Sequence, residues 1–518
     1  MSVSTVVAGR RRLARFGLLA TVFVCAACGL VYELALVALG SYLIGDTAAQ
    51  ASIVLGVMVF AMGMGALAAK PLQAKAARNF ALIELALAFI GGLSVLALYA
   101  AFAWLHVYTF AMILLALLLG GLIGAEIPLL MVLLQRIRKQ AAGSAVADLF
   151  AADYVGALLG GLAFPFLLLP LFGQIRGALI VGAVNAVAGL VLIFTVFRKD
   201  LGRKSRWGLS AVAVAVCVSL VAAYGYSHRF EAAAQQALYA HPIIHSEQTK
   251  YQSIVLTESV SWDGKTNVEL YLNGDLQFSA GDEFRYHEAL VHPALAKDRA
   301  DVLILGGGDG LGLREVLRYP DVESVTLVEL DPAMTDLAAD HPKLVELNES
   351  ALDDPRVTVV NADAFAWLRD QTRVYDAVVI DMPDPDETAT AKLYSTEFYG
   401  LAGRVLAEDG LMTVQSGSPY FAPMSFWCIR ATLEAAGLHP TPYHVLVPSF
   451  GDWGFMLVGK AGAPTPALDP PVPLRSLDEE TLAAAQVFAP DQRQRDVPPS
   501  TLMDPRILEY SQQEWRAY

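Results

Sequence analysis

The sequence predicts a two-part chain: a multi-span α-helical membrane bundle, then a small β domain leading into an α/β domain with a mainly parallel sheet. Three observations predict it. Apolar runs of spanning length fill the first 225 of 518 residues. After them, short hydrophobic strands alternate with helical segments, the pattern of a parallel sheet covered by helices on both faces. The charge also divides sharply. Of 37 basic and 51 acidic residues, 16 and 7 fall in residues 1–225, a formal +9, leaving 21 and 44 for the rest, a formal −23. An acidic second half repels phosphates and argues against nucleic acid as a partner. It favours cationic ligands and speeds their arrival.

The apolar runs lie at about 16–38, 50–69, 80–103, 106–134, 146–171, 174–197 and 207–225. A crossing needs roughly 20 apolar residues, so seven spans are expected and a cell-membrane, multi-pass location with them. A cleaved signal peptide is not expected, because the first run is long and six more follow it. Gly56, Gly63, Gly65 and the pair Gly156-xxx-Gly160 would let helices approach closely. Cys25-Ala-Ala-Cys28 has the spacing of a redox pair, but a thiolate is hard to form in hydrocarbon and the pair reads as small residues on a buried face.

Arg10, Arg11, Arg12 and Arg15 precede the first run. Lys70, Lys75 and Arg78 follow the second, Arg136, Arg138 and Lys139 the fourth, and Arg198, Lys199, Arg203, Lys204 and Arg206 the sixth. The intervening loops carry only Arg176. The excess of positive charge on one side places the N-terminus in the cytoplasm, and seven spans then put the second half outside. Supply of a cytosolic cofactor argues for the opposite side, so the two indications conflict. Glu33, Glu84, Glu126 and Asp153 lie inside the runs, where charge is costly. They read either as a path or site for a polycation or as carboxyls in helix–helix hydrogen bonds.

Residues 226–245 read as a connector. In the small β domain, 246–290, Ser253–Leu256 and Val268–Leu272 are strands, and Asn273-Gly274 signals a hairpin. The α/β domain follows at 291–462. Strands Val302–Leu305, Val325–Val328, Val357–Val360, Ala377–Ile380 and Gly410–Gln415 end in glycines or acids, marking the ligand edge of a parallel sheet. Residues 463–518 read as a Pro-rich linker and tail. No Cys/His cluster has zinc spacing, and no metal is expected.

The chemistry gathers at those strand ends. Gly306-Gly-Gly308-Asp309-Gly310 sits between a strand and a helix, where glycines let backbone approach a nucleotide-like ligand. Glu329, ending the next strand, is placed to accept both ribose hydroxyls, and Asp363, ending the one after, an adenine amino proton. Asp381 and Asp384 close a later strand of the same sheet and can face a cationic substrate. Such a site suits transfer of a group from a sulfonium cofactor to an amine.

With Tyr251-Gln252, Leu276-Gln277, Asp282-Glu283-Phe-x-Tyr286-His287-Glu288, Gly306–Glu315, Glu329-Leu-Asp331-Pro332, Asp354-Pro-Arg356-Val357, Asp363, Asp376 and Asp381-x-x-Asp384-Pro385, the chain resembles the spermidine synthase (polyamine aminopropyltransferase) family over about residues 248–460. Together with the apolar first half, it looks like the membrane-bound branch of that family. The resemblance implies a Rossmann-like (class I methyltransferase-like) catalytic domain behind the small β domain. It implies transfer of an aminopropyl group from decarboxylated S-adenosylmethionine, a co-substrate rather than a tightly bound cofactor, to putrescine or a similar amine. The products are then spermidine and methylthioadenosine.

By position, the resemblance assigns cofactor contacts to Gln252, Gly306, Gly308, Asp309, Glu329, Asp363 and Ala364. It assigns amine contacts to Gln277, Tyr286, His287, Asp309, Asp381 and Asp384, with Asp381 as the catalytic proton acceptor. The expected partners are a small-molecule amine and the lipid bilayer, with homo-oligomer formation left open. The sequence departs from the family at Leu311, where a Gly is usual, at Thr388, where a Pro is common, and at Val447 and Phe450. Val447 replaces a Tyr that helps orient the amine and is expected to open room for longer amines. Two other readings stay open: an S-adenosylmethionine-dependent methyltransferase on the same fold, and a non-catalytic polyamine transporter or sensor.

Overall fold

The computed structural model describes the chain except residues 1–2, 45–46, 139–141, 199, 261–263, 265 and 516–518; side chains of 3–16, 18, 47–48, 136–138 and 142–146 are also outside the description. The expected cytoplasmic-side charges Arg10, Arg11, Arg12, Arg15, Arg136, Arg138, Lys139 and Lys199 therefore lie outside the described residues or side chains. The chain divides into two compact units, 1–240 and 241–518.

The first unit is helical: α1 (Val3–Ile44), α2 (Thr47–Ala68), α3 (Ala76–Ala100), α4 (Tyr108–Arg138), α5 (Ala142–Ala163), α6 (Leu169–Phe194) and α7 (Arg203–Gln236). Six helical stretches among the described residues are long and apolar enough to cross a membrane. The seven expected runs fall within these six stretches. The runs 146–171 and 174–197 form one stretch of 48 residues, Ala147–Phe194. A crossing takes roughly 20 residues, so this stretch has the length of two. Its break falls between the two runs, at Gly173, whose φ of 70° leaves the helical region.

Arg176, expected in a loop, lies within α6 and donates from Nε to Ser227 Oγ of α7 at 3.2 Å. α7 itself continues through most of the segment read as a connector. Gly156 and Gly160 bring α5 onto α1: a Cβ there would come within 2.2 Å of Phe23 O and 2.4 Å of Ala27 O. Gly56 and Gly63, expected at contacts, have open space instead. Cys25 and Cys28 are buried free thiols, with Cys28 Sγ facing Val181 O at 3.8 Å.

The second unit begins with an antiparallel sheet of β1 (Ile243–Gln248), β2 (Ser253–Val260), β3 (Thr266–Leu272) and β4 (Asp275–Ser279) in sequential order. Asn273 (φ 54°) and Gly274 (φ 98°) turn the β3–β4 hairpin, as two positive-φ residues must in the tight turn that matches strand twist. α8 (Glu283–Val291) leads into the larger sheet. There follow β5 (Asp301–Gly306), α9 (Leu311–Leu317), β6 (Ser324–Glu329), α10 (Pro332–Asp340), α11 (Pro342–Leu347), β7 (Val357–Asn361), α12 (Ala364–Asp370) and β8 (Tyr375–Asp381). The rest is α13 (Thr388–Ala391), α14 (Thr396–Val405), β9 (Leu406–Gln415), α15 (Pro423–Ala435), β10 (His439–Val447), β11 (Gly451–Gly459), α16 (Glu479–Ala484) and α17 (Arg506–Trp515).

The seven strands run in the order β10-β11-β9-β8-β5-β6-β7, parallel from β9 to β7, with β11 and β10 added antiparallel. Val302–Leu305 and Ala377–Ile380 are almost wholly buried, as parallel strands covered on both faces require. From β5 the chain winds through β6 and β7 to one side, then returns to β8 on the other. The C-terminal ends of β5 and β8 therefore flank the crevice where such sheets hold ligands. The small sheet packs Ile254, Leu256 and Phe278 against Leu311, Met334 and Leu337.

The segment 463–518 folds back onto this unit. Leu477 and Leu482 enter the core beside β10 and β11, Glu288 accepts from the backbone N–H of Arg475 and Ser476 at 2.7 and 2.8 Å, and Glu514 caps α15 at Met424 N and Ser425 N.

Candidate active site

Gly306 ends β5 opposite Asp381 of β8 in the sheet register. A Cβ on Gly306 would lie 2.0 Å from Asp381 O, so only glycine lets the strands meet there. Gly306, Gly307 and Gly310 all have positive φ, and the loop curls over the crevice. Gly308 N donates to Glu329 Oε2 at 3.2 Å and Asp331 N to Glu329 Oε1 at 3.0 Å. Burial pushes the Glu329 carboxyl up to about 7, against those hydrogen bonds. Gln252 sits in a turn tied by its backbone to Thr249, whose hydroxyl donates to Asp331 Oδ2 at 2.7 Å. The small sheet is thereby pinned beside the end of β6.

Asp363 caps α12, accepting from Ala366 N at 3.0 Å, and pairs with Lys392 Nζ at 2.5 Å. Against partial burial, that lysine and the cap hold its carboxyl below the usual range. Each Asp363 oxygen thus already has a protein partner, and Ala364 is buried next to it. A carboxylate has about four acceptor sites, so capacity for a further donor remains.

Around Asp381 the groups are enclosed. Tyr286, on α8, donates to Asp381 Oδ1 at 2.6 Å. Burial drives Asp381 up to about 6; the nearby His287 opposes this and Asp309 adds to it. His287 Nδ1 lies 2.9 Å from Glu283 Oε2 and 2.8 Å from Glu283 O. Burial disfavours a charged His287, but its contact with Glu283 outweighs this and raises its pKa. Burial alone would also raise Glu283. Its bonds to His287, and a two-pronged contact from Arg314 at 3.1 and 3.0 Å, bring it down to about 2 instead. Arg314 continues to Glu315, and Glu315 to His292, so a buried ionic chain backs the site. Asp309 accepts from Leu311 N at 2.8 Å and is raised by burial.

A second carboxylate group lies one step further along the loop. Asp384 Oδ1 accepts from Gln415 Nε2 at 2.8 Å and is pushed up to about 6, first by burial. Asp386 reaches about 6 through burial and the charges of Asp275 and Glu387. Asp275, at the start of β4, is raised by loss of water and by Asp384 and Glu387. Asp275, Asp384 and Asp386, all raised and with Glu387 beside them, form a region of strong negative potential, a complement for ammonium groups. Gln277 is half-buried two residues from Asp275 and donates to its carbonyl at 3.2 Å. Gln415, Asp386 and Asp275 were not singled out from the sequence. Gln415 ends a parallel strand and was open to the strand-end argument, whereas Asp386 and Asp275 meet only in three dimensions.

One expectation is corrected. Val447 is fully buried among the residues packed with Tyr286 and Tyr443, so it opens no room at the site. Phe450 instead sets its ring edge-on to Tyr286, centroids 6.1 Å apart, and Asp282 holds the adjoining Ser449 through Oγ and backbone N–H.

The Spermine/spermidine synthase domain family model matches residues 283–468. Polyamine aminopropyltransferase 1 of Streptomyces coelicolor is 59% identical over 511 residues, covering 98% of this chain and 96% of its own. The polyamine aminopropyltransferase of Mycobacterium tuberculosis is 49% identical over 510 residues, 96% of each chain. These similarities extend through the helical first half as well as the α/β unit. Among solved structures, a spermidine synthase in complex with the transition-state analogue AdoDATO matches with a TM-score of 0.42 and 26% identity, over 48% of this chain and 85% of its own.

Proposed function

Because the chain belongs to the spermine/spermidine synthase family of polyamine aminopropyltransferases, we propose that it moves the aminopropyl group of decarboxylated S-adenosylmethionine onto putrescine or a similar diamine, giving spermidine and methylthioadenosine. The observation that carries this reading is Asp381. It is a half-buried carboxyl raised to about 6, beside the glycine loop and next to the acidic group of Asp384 and Asp386.

The roles follow from what each group can do. Glu329, with its two oxygens bonded to Gly308 N and Asp331 N, keeps further acceptor sites for the ribose hydroxyls of the donor. Asp309 stands against a carboxylate-bearing donor, which it would repel, and so favours the decarboxylated form. Asp384 and its acidic neighbours take the remote ammonium of the diamine by charge-assisted hydrogen bonding. This orients the other nitrogen toward the sulfonium carbon, and alignment supplies most of what an already activated carbon needs.

Asp381 accepts the proton of the attacking nitrogen as the new C–N bond forms. The C–S bond breaks, and its electron pair neutralises the sulfonium to the thioether of methylthioadenosine. Tyr286 fixes the Asp381 carboxylate through its hydroxyl. The apolar first half holds this enzyme in the cell membrane as a multi-pass protein, consistent with its six helical stretches of spanning length and composition.

The test is the purified full chain in detergent with decarboxylated S-adenosylmethionine and a panel of diamines. Methylthioadenosine release that depends on putrescine or a near analogue is expected. Release with none of the diamines, or methyl transfer from S-adenosylmethionine instead, refutes the proposal.

A further inference from the structure

A cavity of about 130 Å³ lies within the helical unit, lined by α1, α4 and α5 and by Met62 of α2. Three of its walls carry carboxyl groups, Glu33, Glu126 and Asp153, set among Leu30, Ile127 and Phe150. Glu126 is 7% exposed, yet its Oε1 has no hydrogen-bond partner among the described residues. Next to it Glu84 is fully buried with both oxygens in the same condition. Its side-chain neighbours include Cys25, Asn185 and Glu126.

A carboxyl that merely tied helices together would have found its partner there. Glu126 lines the cavity and its Oε1 is left without one, which is costly in an apolar bundle unless a ligand answers it. Among the described residues, no basic side chain lines the cavity. The charges are also too dispersed for a metal: among the described residues no three His, Cys, Asp or Glu come together as an ion would need. A metal gathers its oxygens into one shell. Carboxyls on three helices with hydrocarbon between them fit instead a cation whose charges are spaced along an alkyl chain.

We propose that this cavity binds an alkyl polyammonium cation, its ammonium groups meeting Glu126, Asp153 and Glu33 and its methylene chain lying against Leu30, Ile127 and Phe150. The proposal rests on the catalytic reading only in that such cations are that reaction's acceptor and product. The bundle is then a second polyamine site, independent of the one that does the chemistry.

The experiment measures equilibrium binding of labelled spermidine to the full chain in nanodiscs of uncharged phospholipid. Wild type is compared with Glu126→Gln and with Glu126→Gln/Asp153→Asn, and methylthioadenosine release is assayed in parallel. Loss of a buried charge partner should weaken one class of spermidine binding roughly 30-fold or more, with release unchanged. Identical isotherms in wild type and variants overturn the proposal, as does displacement of spermidine by Na⁺ or Mg²⁺ as effectively as by another polyamine. If the variants do not fold, the wild type decides: spermidine should slow labelling of Glu126 by a hydrophobic carbodiimide about tenfold, and no protection overturns the proposal. Absence of methylthioadenosine release in wild type would count against the catalytic reading alone, since neither binding readout depends on turnover.

Discussion

Asp381→Asn should cost activity and raise stability together, and the pH at which each effect appears follows from the structure. The amide has the shape of the carboxylate and can still accept from Tyr286, so the site keeps its geometry. It cannot take a proton from the attacking amine, and loss of a positioned base typically costs roughly 10²–10⁴-fold in kcat. The stability effect has the opposite sign. Burial lifts Asp381 from an ordinary value of 3.8 to about 6. At neutral pH its ionised form therefore opposes folding by up to ~3 kcal/mol. The folded chain holds that proton more tightly than the unfolded chain. Its stabilising contribution is complete below pH ~4 and is lost as pH rises through about 6. Asn never ionises. The variant should match wild type in thermal melting near pH 4 and melt higher at pH 7 to 8. Melting of the full chain in detergent across that range, with turnover at each pH, is the assay. Near-native kcat in the variant would refute the base assignment. A variant less stable than wild type at pH 8 would refute the claim that burial sets the Asp381 pKa.

The same carboxyl sets the acid limb of turnover: wild-type kcat should rise with pH through an apparent value near 6, belonging to the coupled acids rather than to Asp381 alone. Glu329→Gln should raise KM for the donor roughly 10–100-fold, the worth of hydrogen bonds to a charged group, with little change in KM for the amine; steady-state kinetics with each substrate varied will show it. Gly308→Ala would place a Cβ 2.7 Å from the Glu329 side chain, and displacing that carboxylate should lower kcat/KM for the donor by up to roughly 100-fold. Arg314→Met leaves buried Glu283 with only His287 as a partner, and breaking a buried ion pair typically costs about 3–5 kcal/mol. Chemical denaturation should show the loss, and adding Glu283→Gln should restore part of it.

The two-part architecture was legible because hydropathy and strand–helix alternation are local properties. Each apolar run, each glycine of the 306–310 turn and each acid at a strand end is written in a few neighbouring residues. That was enough to place Gly308, Glu329 and Asp381 at one edge of one sheet, because parallel strands put their C-terminal ends together whatever fills the core. Sequence did not decide whether the runs on either side of Gly173 join. That depends on backbone angles at one residue, which an apolar pattern does not encode.

It also gave no sign that Val447 is core, that Lys392 pairs with Asp363, or that Asp275 joins Asp386 from a different sheet. Burial and pairing are set by groups distant in the chain. Arg314 and Glu283 are 31 residues apart, and Arg475 and Glu288 are 187 apart. The amino-acid order alone singled out the side chains proposed to carry the chemistry. Only the tertiary structure decided their ionisation, because a carboxyl's pKa depends on the water it loses and the charges it meets, and the fold determines both.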